Sequence, residues 1–295
     1  MGGLARLHLN PSTTDGPRIR LVQPNIQSAH KWDEQLRLRY LHETLATTYA
    51  PGSVLARSIF LPETAVAFYI EDEPMVREWV AGGLMEGQSL LTGTVRRQGE
   101  MEHRQFFNSV ATLDARGTVQ ATYDKQLLVP FGEYIPGRSF LEALPLPTPV
   151  RTLSQSRLDY TIGSRSPLLP SAVGTALALV CYEGIFPYHV AQHAAKADYL
   201  LNITNDNWFT GTTALAQHAA LERLRAVETG KPLVRVANTG LTMVVDGMGR
   251  VVGRLARNKA AVLDITLPSP VGQTGWLTLA DKALYSKTVL KAAIF

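Results

Sequence analysis

The chain has 295 residues, 45% of them hydrophobic and 18% charged, which excludes a disordered or collagen-like chain and leaves ample material for a core. A formal charge of +4 without any run of basic residues gives no reason to expect nucleic acid as a partner. The single cysteine, Cys181, excludes an internal disulfide, a CxxC redox pair and a multi-cysteine zinc site.

Residues 1–17 form a polar arm rich in Gly, Pro, Ser and Thr. It lacks the sustained apolar region of a signal peptide. Arg18 to Gln23 alternates Ile19, Leu21 and Gln23 against Arg18, Arg20 and Val22, a strand pattern. Asp33 reads as a helix N-cap, followed by Leu36, Tyr40, Leu41 and Leu45 at helical spacing. Ser58 to Leu61 is a short apolar strand ending at Pro62-Glu63. A second helix opens near Pro74, with Met75, Trp79, Val80 and Leu84 as its apolar stripe.

Ser89 to Val95 and Phe106 to Leu113 are strand-like. Asp114-Ala115-Arg116-Gly117 turns the chain into a further strand, Val119 to Tyr123. Leu127 to Ser171 is proline-rich and aperiodic and reads as long loops. Thr175 to Cys181 is a buried strand, Gly184 to Ala195 a helix and Tyr199 to Thr204 another strand. Thr213 to Thr229 is a helix stopped by Gly230. Four strands close the pattern: Leu233–Ala237, Leu241–Val245, Val251–Leu255 and Ala261–Thr266, with Asp246-Gly247-Met248-Gly249 as a turn. About ten strands interleaved with four or five helices imply a layered α/β architecture in one domain, residues 18–270. The tail, 271–295, reads as an amphipathic surface helix that can touch lipid. No apolar run of about 18 residues occurs, so no membrane-spanning helix is expected.

Three strand ends carry reactive side chains: Glu63, Lys125 and Cys181. In α/β sheets functional groups gather where strands give way to loops. A thiol needs a base to become a nucleophile, and an acyl carbonyl needs a cation or N–H donors for its oxyanion. Each residue alone has an ordinary reading, as inert packing or a paired charge. His189 and His193 stand four apart without a third ligand, so a polar helix face is expected there and no metal. Asn202-Ile203-Thr204 is a formal glycosylation sequon inside a core strand and is discounted.

The strings around the three strand ends carry a resemblance. Leu61-Pro62-Glu63-Thr64-Ala65, Tyr123-Asp124-Lys125-Gln126-Leu127-Leu128-Val129-Pro130-Phe131-Gly132-Glu133 and Val180-Cys181-Tyr182-Glu183 resemble the nitrilase (carbon–nitrogen hydrolase) superfamily. Within it they are most similar to the nitrilase-like domain of the apolipoprotein N-acyltransferases. Val22-Gln23-Pro24-Asn25-Ile26, Asn205-Asp206-Asn207-Trp208-Phe209 and Pro232 to Gly240 support it, in family order, from Ile19 to Leu267.

The resemblance implies a four-layer αββα sandwich and a Glu–Lys–Cys triad. Cys181 would be the nucleophile, Glu63 the general base and Lys125 the oxyanion stabiliser. Glu133 would orient the lysine and the base, Glu183 would stand close behind the nucleophile, and the Tyr182 N–H would be a second oxyanion donor. The lysine is expected to lower the thiol pKa. Trp208 and Phe209 read either as core or as an apolar wall that holds an acyl chain. Phe140, Leu141, Leu144 and Leu146 read as a loop that packs on the sheet or meets lipid.

The implied reaction passes an acyl group from a phospholipid or small amide, through a thioester, to an amine or water, with no cofactor. The full acyltransferases carry this domain on membrane helices and work at the periplasmic face of the cytoplasmic membrane. The sequence shows neither such helices nor a signal peptide. A hydrolase of small amides, or a non-catalytic assembly module with this fold, are the alternatives.

Overall fold

The computed structural model describes residues 15–26, 36–100, 103–138, 159–209, 212–272 and 274–279. Over these residues the chain forms two six-stranded sheets. The first contains β1 (Arg18–Gln23), β2 (Ser58–Phe60), β3 (Ser89–Gln98), β4 (Gln105–Asp114), β5 (Val119–Asp124) and β12 (Ala261–Thr266), in the order β12-β1-β2-β3-β4-β5. The second contains β6 (Leu168–Ser171), β7 (Gly174–Val180), β8 (Tyr199–Thr204), β9 (Leu233–Ala237), β10 (Met243–Val245) and β11 (Val251–Arg254), in the order β11-β10-β9-β8-β7-β6. Helices α1 (Arg37–Thr48), α2 (Pro74–Ala81), α3 (Pro187–Ala194), α4 (Ala214–Thr229) and the short α5 (Gly275–Leu279) complete the fold.

Side-chain alternation along the strands builds the layers. In β7, Ala176, Ala178 and Val180 enter a cluster with Ile19, Leu21, Phe60, Val110 and Tyr123 of the opposite sheet. Leu177 and Leu179 point the other way, onto Val190, Ala194, Ala219 and Ala226 of α3 and α4. On the first sheet, Val22, Ile59, Leu61 and Leu90 meet Leu41 of α1 and Val76 and Val80 of α2. Three apolar layers between four layers of backbone give the αββα sandwich. Strands β1, β2 and β3 run parallel, as do β7, β8 and β9. Strands buried on both faces suit parallel pairing.

The turn chemistry is as the sequence predicts. Asp114 Oδ1 accepts from the N–H groups of Arg116 and Thr118, both at 2.9 Å, and Gly117 takes φ 73°. Gly230 ends α4 at φ 70°, its N–H reaching Ala226 O at 2.8 Å.

Several expectations are corrected. There are twelve strands among the described residues, the eleven named from the sequence and β6, which lies within the proposed loop and pairs antiparallel with β7. The predicted helix from Gly184 divides into a 3-10 turn, Cys181–Ile185, and α3, because Pro187 restarts the helix at its first turn. Helix α2 buries Val76 and Val80, whereas Met75 and Trp79 are 61% and 47% exposed. Val80 and Leu84 of the predicted stripe do pack on the core, with Val76 taking the place of Met75 and Trp79, because neighbouring ridges of that helix are both apolar. Arg20 does not face solvent. It is fully buried, paired with Asp264 at 2.7 Å and donating to the carbonyls of Thr48, Ala50 and Pro51 at the end of α1. His189 is buried, 3.8 Å from Glu183, rather than on a polar face. Asp33, the loop holding Phe140, Leu141, Leu144 and Leu146, and residues 280–295 lie outside the described residues.

Candidate active site

Glu63, Lys125 and Cys181 each follow the last residues of a strand: β2, β5 and β7. The backbone is forced at these points. Cys181 has φ 51°, Thr64 beside Glu63 has φ 46°, and Phe131 two residues before Glu133 has φ 60°. Left-handed conformations at non-glycine residues cost about 1–3 kcal/mol each and collect at functional sites. Lys125 is fixed through its backbone, its N–H donating to Asn108 O at 2.9 Å and its carbonyl accepting from Gly163 N at 2.8 Å.

The Glu63 turn sits directly on Gly93 of β3. A Cβ there would lie 2.4 Å from Thr64 N and 2.5 Å from Pro62 O. Backbone atoms cannot retreat as side-chain tips can. Gly93→Ala is therefore expected to lower stability by about 1–3 kcal/mol and to displace Glu63. Chemical denaturation together with the rate of Cys181 alkylation checks this, and wild-type values in both would refute it.

One hydrogen-bonded set joins the carboxylates to the lysine. Glu133 Oε2 lies 2.8 Å from Lys125 Nζ and accepts from Val129 N at 2.9 Å. Asn108 Nδ2 bridges Glu63 Oε1 at 2.7 Å and Glu133 Oε1 at 3.0 Å. Glu63 Oε2 accepts from Asn205 N, at the end of β8, at 2.8 Å. All of these side chains are buried, with Cys181 8% exposed.

Glu183 is fully buried and ties two site segments together. Its Oε1 accepts from Tyr123 OH at 2.8 Å, Gln126 N at 2.7 Å and Leu127 N at 3.0 Å. Its Oε2 accepts from Val180 N at 2.7 Å. The loop after Lys125 is thus pinned to the turn that carries Cys181.

Burial works against the Lys125 charge, but Glu133, then Cys181 and Glu63, outweigh it and hold its pKa above the usual lysine value. The ammonium stays charged. Burial first, then the Glu63 charge, push the Cys181 thiol up to about 12, while Lys125 and a hydrogen bond with Thr204 pull the other way. The expected lowering of the thiol pKa is therefore corrected: the lysine acts with the predicted sign, and desolvation exceeds it. At neutral pH the sulfur carries its proton, so the arrangement can generate a thiolate only if a neighbouring base takes that proton.

This has a consequence for stability. An unfolded cysteine ionises near about pH 8.5, so the folded state holds the proton more tightly. That contribution is whole below the unfolded value and is lost as pH rises from there toward about 12. Cys181→Ala removes it. Denaturation curves are expected to move in favour of Cys181→Ala across that alkaline window, and parallel pH dependences would contradict the assignment.

Glu63, Lys125, Glu133, Cys181 and Glu183 are thus brought together. Tyr182 follows Cys181 in the 3-10 turn, its ring edge-on to Phe186 at 4.8 Å. Trp208 and Phe209 belong to a second 3-10 turn, Asp206–Phe209, and their side-chain positions lie outside what is described. Sequence reading missed Asn108, Asn202 and Tyr160. Asn108 stands inside an apolar strand, the signal that a buried polar partner exists. Asn202 belongs to the discounted sequon, and its Nδ2 donates to the carbonyl of Cys181 at 2.9 Å. Tyr160 donates its backbone N–H to Glu133 O at 2.8 Å, and burial followed by the Glu63 and Glu133 charges raises its phenol pKa.

The profile of the carbon–nitrogen hydrolase family matches residues 18–274. The chain is 38% identical over 263 residues to the apolipoprotein N-acyltransferase of Brucella melitensis, covering 87% of this chain and 49% of the relative. It is 35% identical over 291 residues to that of Bradyrhizobium diazoefficiens, covering 95% of this chain and 53% of the relative. The chain spans about half the length of the curated relatives it matches. Among solved structures, an amidase from Nesterenkonia sp. superposes with a TM-score of 0.62 at 20% identity, covering 90% of this chain and 94% of the other. A variant described as a nitrilase-superfamily amidase of Nesterenkonia AN1 gives 0.64 at 21% identity, over 92% and 96% of the two chains. These two neighbours share the fold. The profile match over most of the chain, with relatives well above 30% identical, places this chain in the carbon–nitrogen hydrolase family of enzymes.

Proposed function

We propose that the chain transfers an acyl group through a thioester on Cys181, from a phospholipid ester to the N-terminal amine of a lipoprotein. Glu63 takes the thiol proton as sulfur attacks the ester carbonyl. Lys125 and the Tyr182 N–H receive the oxyanion. The C–O bond then breaks, Glu63 returns its proton to the leaving alcohol, and a lysophospholipid departs. The amine attacks the thioester, Glu63 accepts its proton, and the C–S bond breaks to leave an amide. The thiolate recovers the proton from Glu63. Glu133 keeps Lys125 in place and, through Asn108, holds Glu63 in register.

The observation that carries this reading is the buried Glu63–Asn108–Glu133–Lys125 set beside the lone cysteine. The names of the relatives, apolipoprotein N-acyltransferases, support acyl transfer to an apolipoprotein amine as the acceptor. Such a donor requires work at a membrane surface. No helix among the described residues is long and apolar enough to cross one.

The test is to incubate the purified chain with phosphatidylethanolamine vesicles and a synthetic diacylglyceryl-cysteine peptide. N-acylated peptide, lost in Cys181→Ala, is the expected product. Hydrolysis of a small amide such as butyramide, with no peptide acylation, would overturn the choice of donor and acceptor.

A further inference from the structure

Behind the nucleophile lies a second buried cluster that the acyl-transfer scheme does not use. Arg235, fully buried on β9, donates to Asp206 Oδ2 at 2.8 Å and Oδ1 at 2.9 Å, and to Leu241 O at 2.7 Å. Its Nε pairs with Glu222 of α4. His218, one turn before Glu222, is also buried. Arg235 Nη2 lies 3.2 Å from His218 Nδ1. Burial works against the His218 charge, but the Glu222 carboxylate and a hydrogen bond with Asp206 outweigh it and hold the ring's pKa up at about 9, so near neutrality Nε2 carries a proton and can donate. Nε2 lies 3.3 Å from the carbonyl oxygen of Cys181, with Glu222 Oε1 2.9 Å away.

We propose that His218 is a positioning residue for the nucleophile: its Nε2–H, together with Asn202, holds the Cys181 carbonyl and so fixes the left-handed turn that presents the sulfur. Three observations converge on this. Cys181 stands at φ 51°, a conformation that costs energy and needs outside support. Its carbonyl accepts from two buried side chains, Asn202 and His218. The ring that makes one of these contacts is itself aimed by the Arg235 cluster, which reaches the base as well. Asp206 follows Asn205, whose N–H holds Glu63.

Buried ion clusters contribute little net stability compared with apolar packing, because desolvation offsets the Coulomb gain. What this cluster supplies is direction: it fixes the nucleophile's carbonyl and the base's backbone donor from one rigid group. Gly184 lets the turn approach. A Cβ there would lie 2.8 Å from Asn202 Nδ2 and 2.9 Å from Glu222 Cγ.

The inference rests on Cys181 being the nucleophile but not on the identity of the acyl donor. The test therefore uses an activated ester, p-nitrophenyl acetate, and reads the burst that accompanies acylation of the sole cysteine. His218→Gln places an amide N–H where Nε2 was, and His218→Asn ends short of it. Both are polar, neutral and no larger than histidine. His218→Asn is expected to slow acylation about ten- to a hundredfold at an unchanged half-saturating ester concentration. His218→Gln is expected to stay within about threefold, with melting temperatures of the two variants alike. Equal acylation rates in the two variants, slow or fast, would overturn the positioning role and leave the nucleophile assignment standing. No burst from the wild type would overturn both.

Discussion

Glu63→Gln is expected to slow acylation of Cys181 by about a thousandfold at neutral pH, within the range general-base catalysis supplies. The reason lies in the thiol. A surface cysteine is partly ionised near neutrality, but this one is pushed up to about 12 by burial and by Glu63. Without a base the thiolate is scarce. Glutamine keeps the shape of the side chain and its amide oxygen can still accept from Asn108, so proton transfer is lost together with only one contact, the acceptor for Asn205 N–H. Removing the Glu63 charge also removes a repulsion that raises the thiol pKa. The residual rate of the variant is therefore expected to climb with pH at a lower midpoint than the wild-type thiol would show unassisted. The rate constant of the burst against pH, with p-nitrophenyl acetate as the ester, measures both effects. A variant within about tenfold of wild type at neutral pH would remove Glu63 from the role of base.

Glu183→Ala is expected to be the most damaging change to stability at the site. It strands four donors: Tyr123 OH, Gln126 N, Leu127 N and Val180 N. A buried donor left without a partner costs about 1–3 kcal/mol, which applies in full to Tyr123 OH and Val180 N and in part to the half-buried Gln126 and Leu127 N–H groups. The sum reaches a large part of the roughly 5–15 kcal/mol that holds an ordinary domain together. A fall in melting temperature of roughly 10 °C or more follows, or failure to fold. Glu183→Gln retains one acceptor oxygen, so it is expected to fold and to lose only the contact that its amide nitrogen cannot accept. Thermal unfolding of the pair gives the ordering wild type, then Gln, then Ala. An alanine variant within about 1 kcal/mol of wild type would show that water or the loop itself can satisfy those donors.

Much of the fold is legible in the sequence because alternation, turn residues and helix stops each report local physics. The hairpins at Asp114–Gly117 and Asp246–Gly249 and the stop at Gly230 are cases where one residue's conformation decides the outcome. Long-range pairing is not legible in this way. Arg20 and Arg235 stand in strands where alternation reads them as ordinary positions. Both are fully buried, because Asp264 in one case and Asp206 with Glu222 in the other lie far along the chain. Helix α2 shows a different failure, since two adjacent apolar ridges cannot be ranked without knowing what they face.

The site divides along the same line. Glu63, Lys125, Glu133, Cys181 and Glu183 sit in strings that resemble a family, and the structure draws them into one buried region. Their supports Asn202 and His218 carry no signal of their own, and Asn108, a polar residue inside an apolar strand, signals a partner without naming it. An asparagine in a strand acquires meaning only when two carboxylates or a strained carbonyl arrive from other strands. Electrostatics is the least legible part. Lysine beside cysteine suggests an acidic thiol, yet the depth of burial decides the matter, and depth is a property of the folded chain.

Intact mass of the chain after brief exposure to phosphatidylethanolamine vesicles, without an amine acceptor, tests the thioester at Cys181 most directly. One fatty-acyl group is expected per chain, released by neutral hydroxylamine, absent from Cys181→Ala and strongly reduced in Glu63→Gln. A chain that stays unmodified, or an adduct that survives in Cys181→Ala, would contradict it.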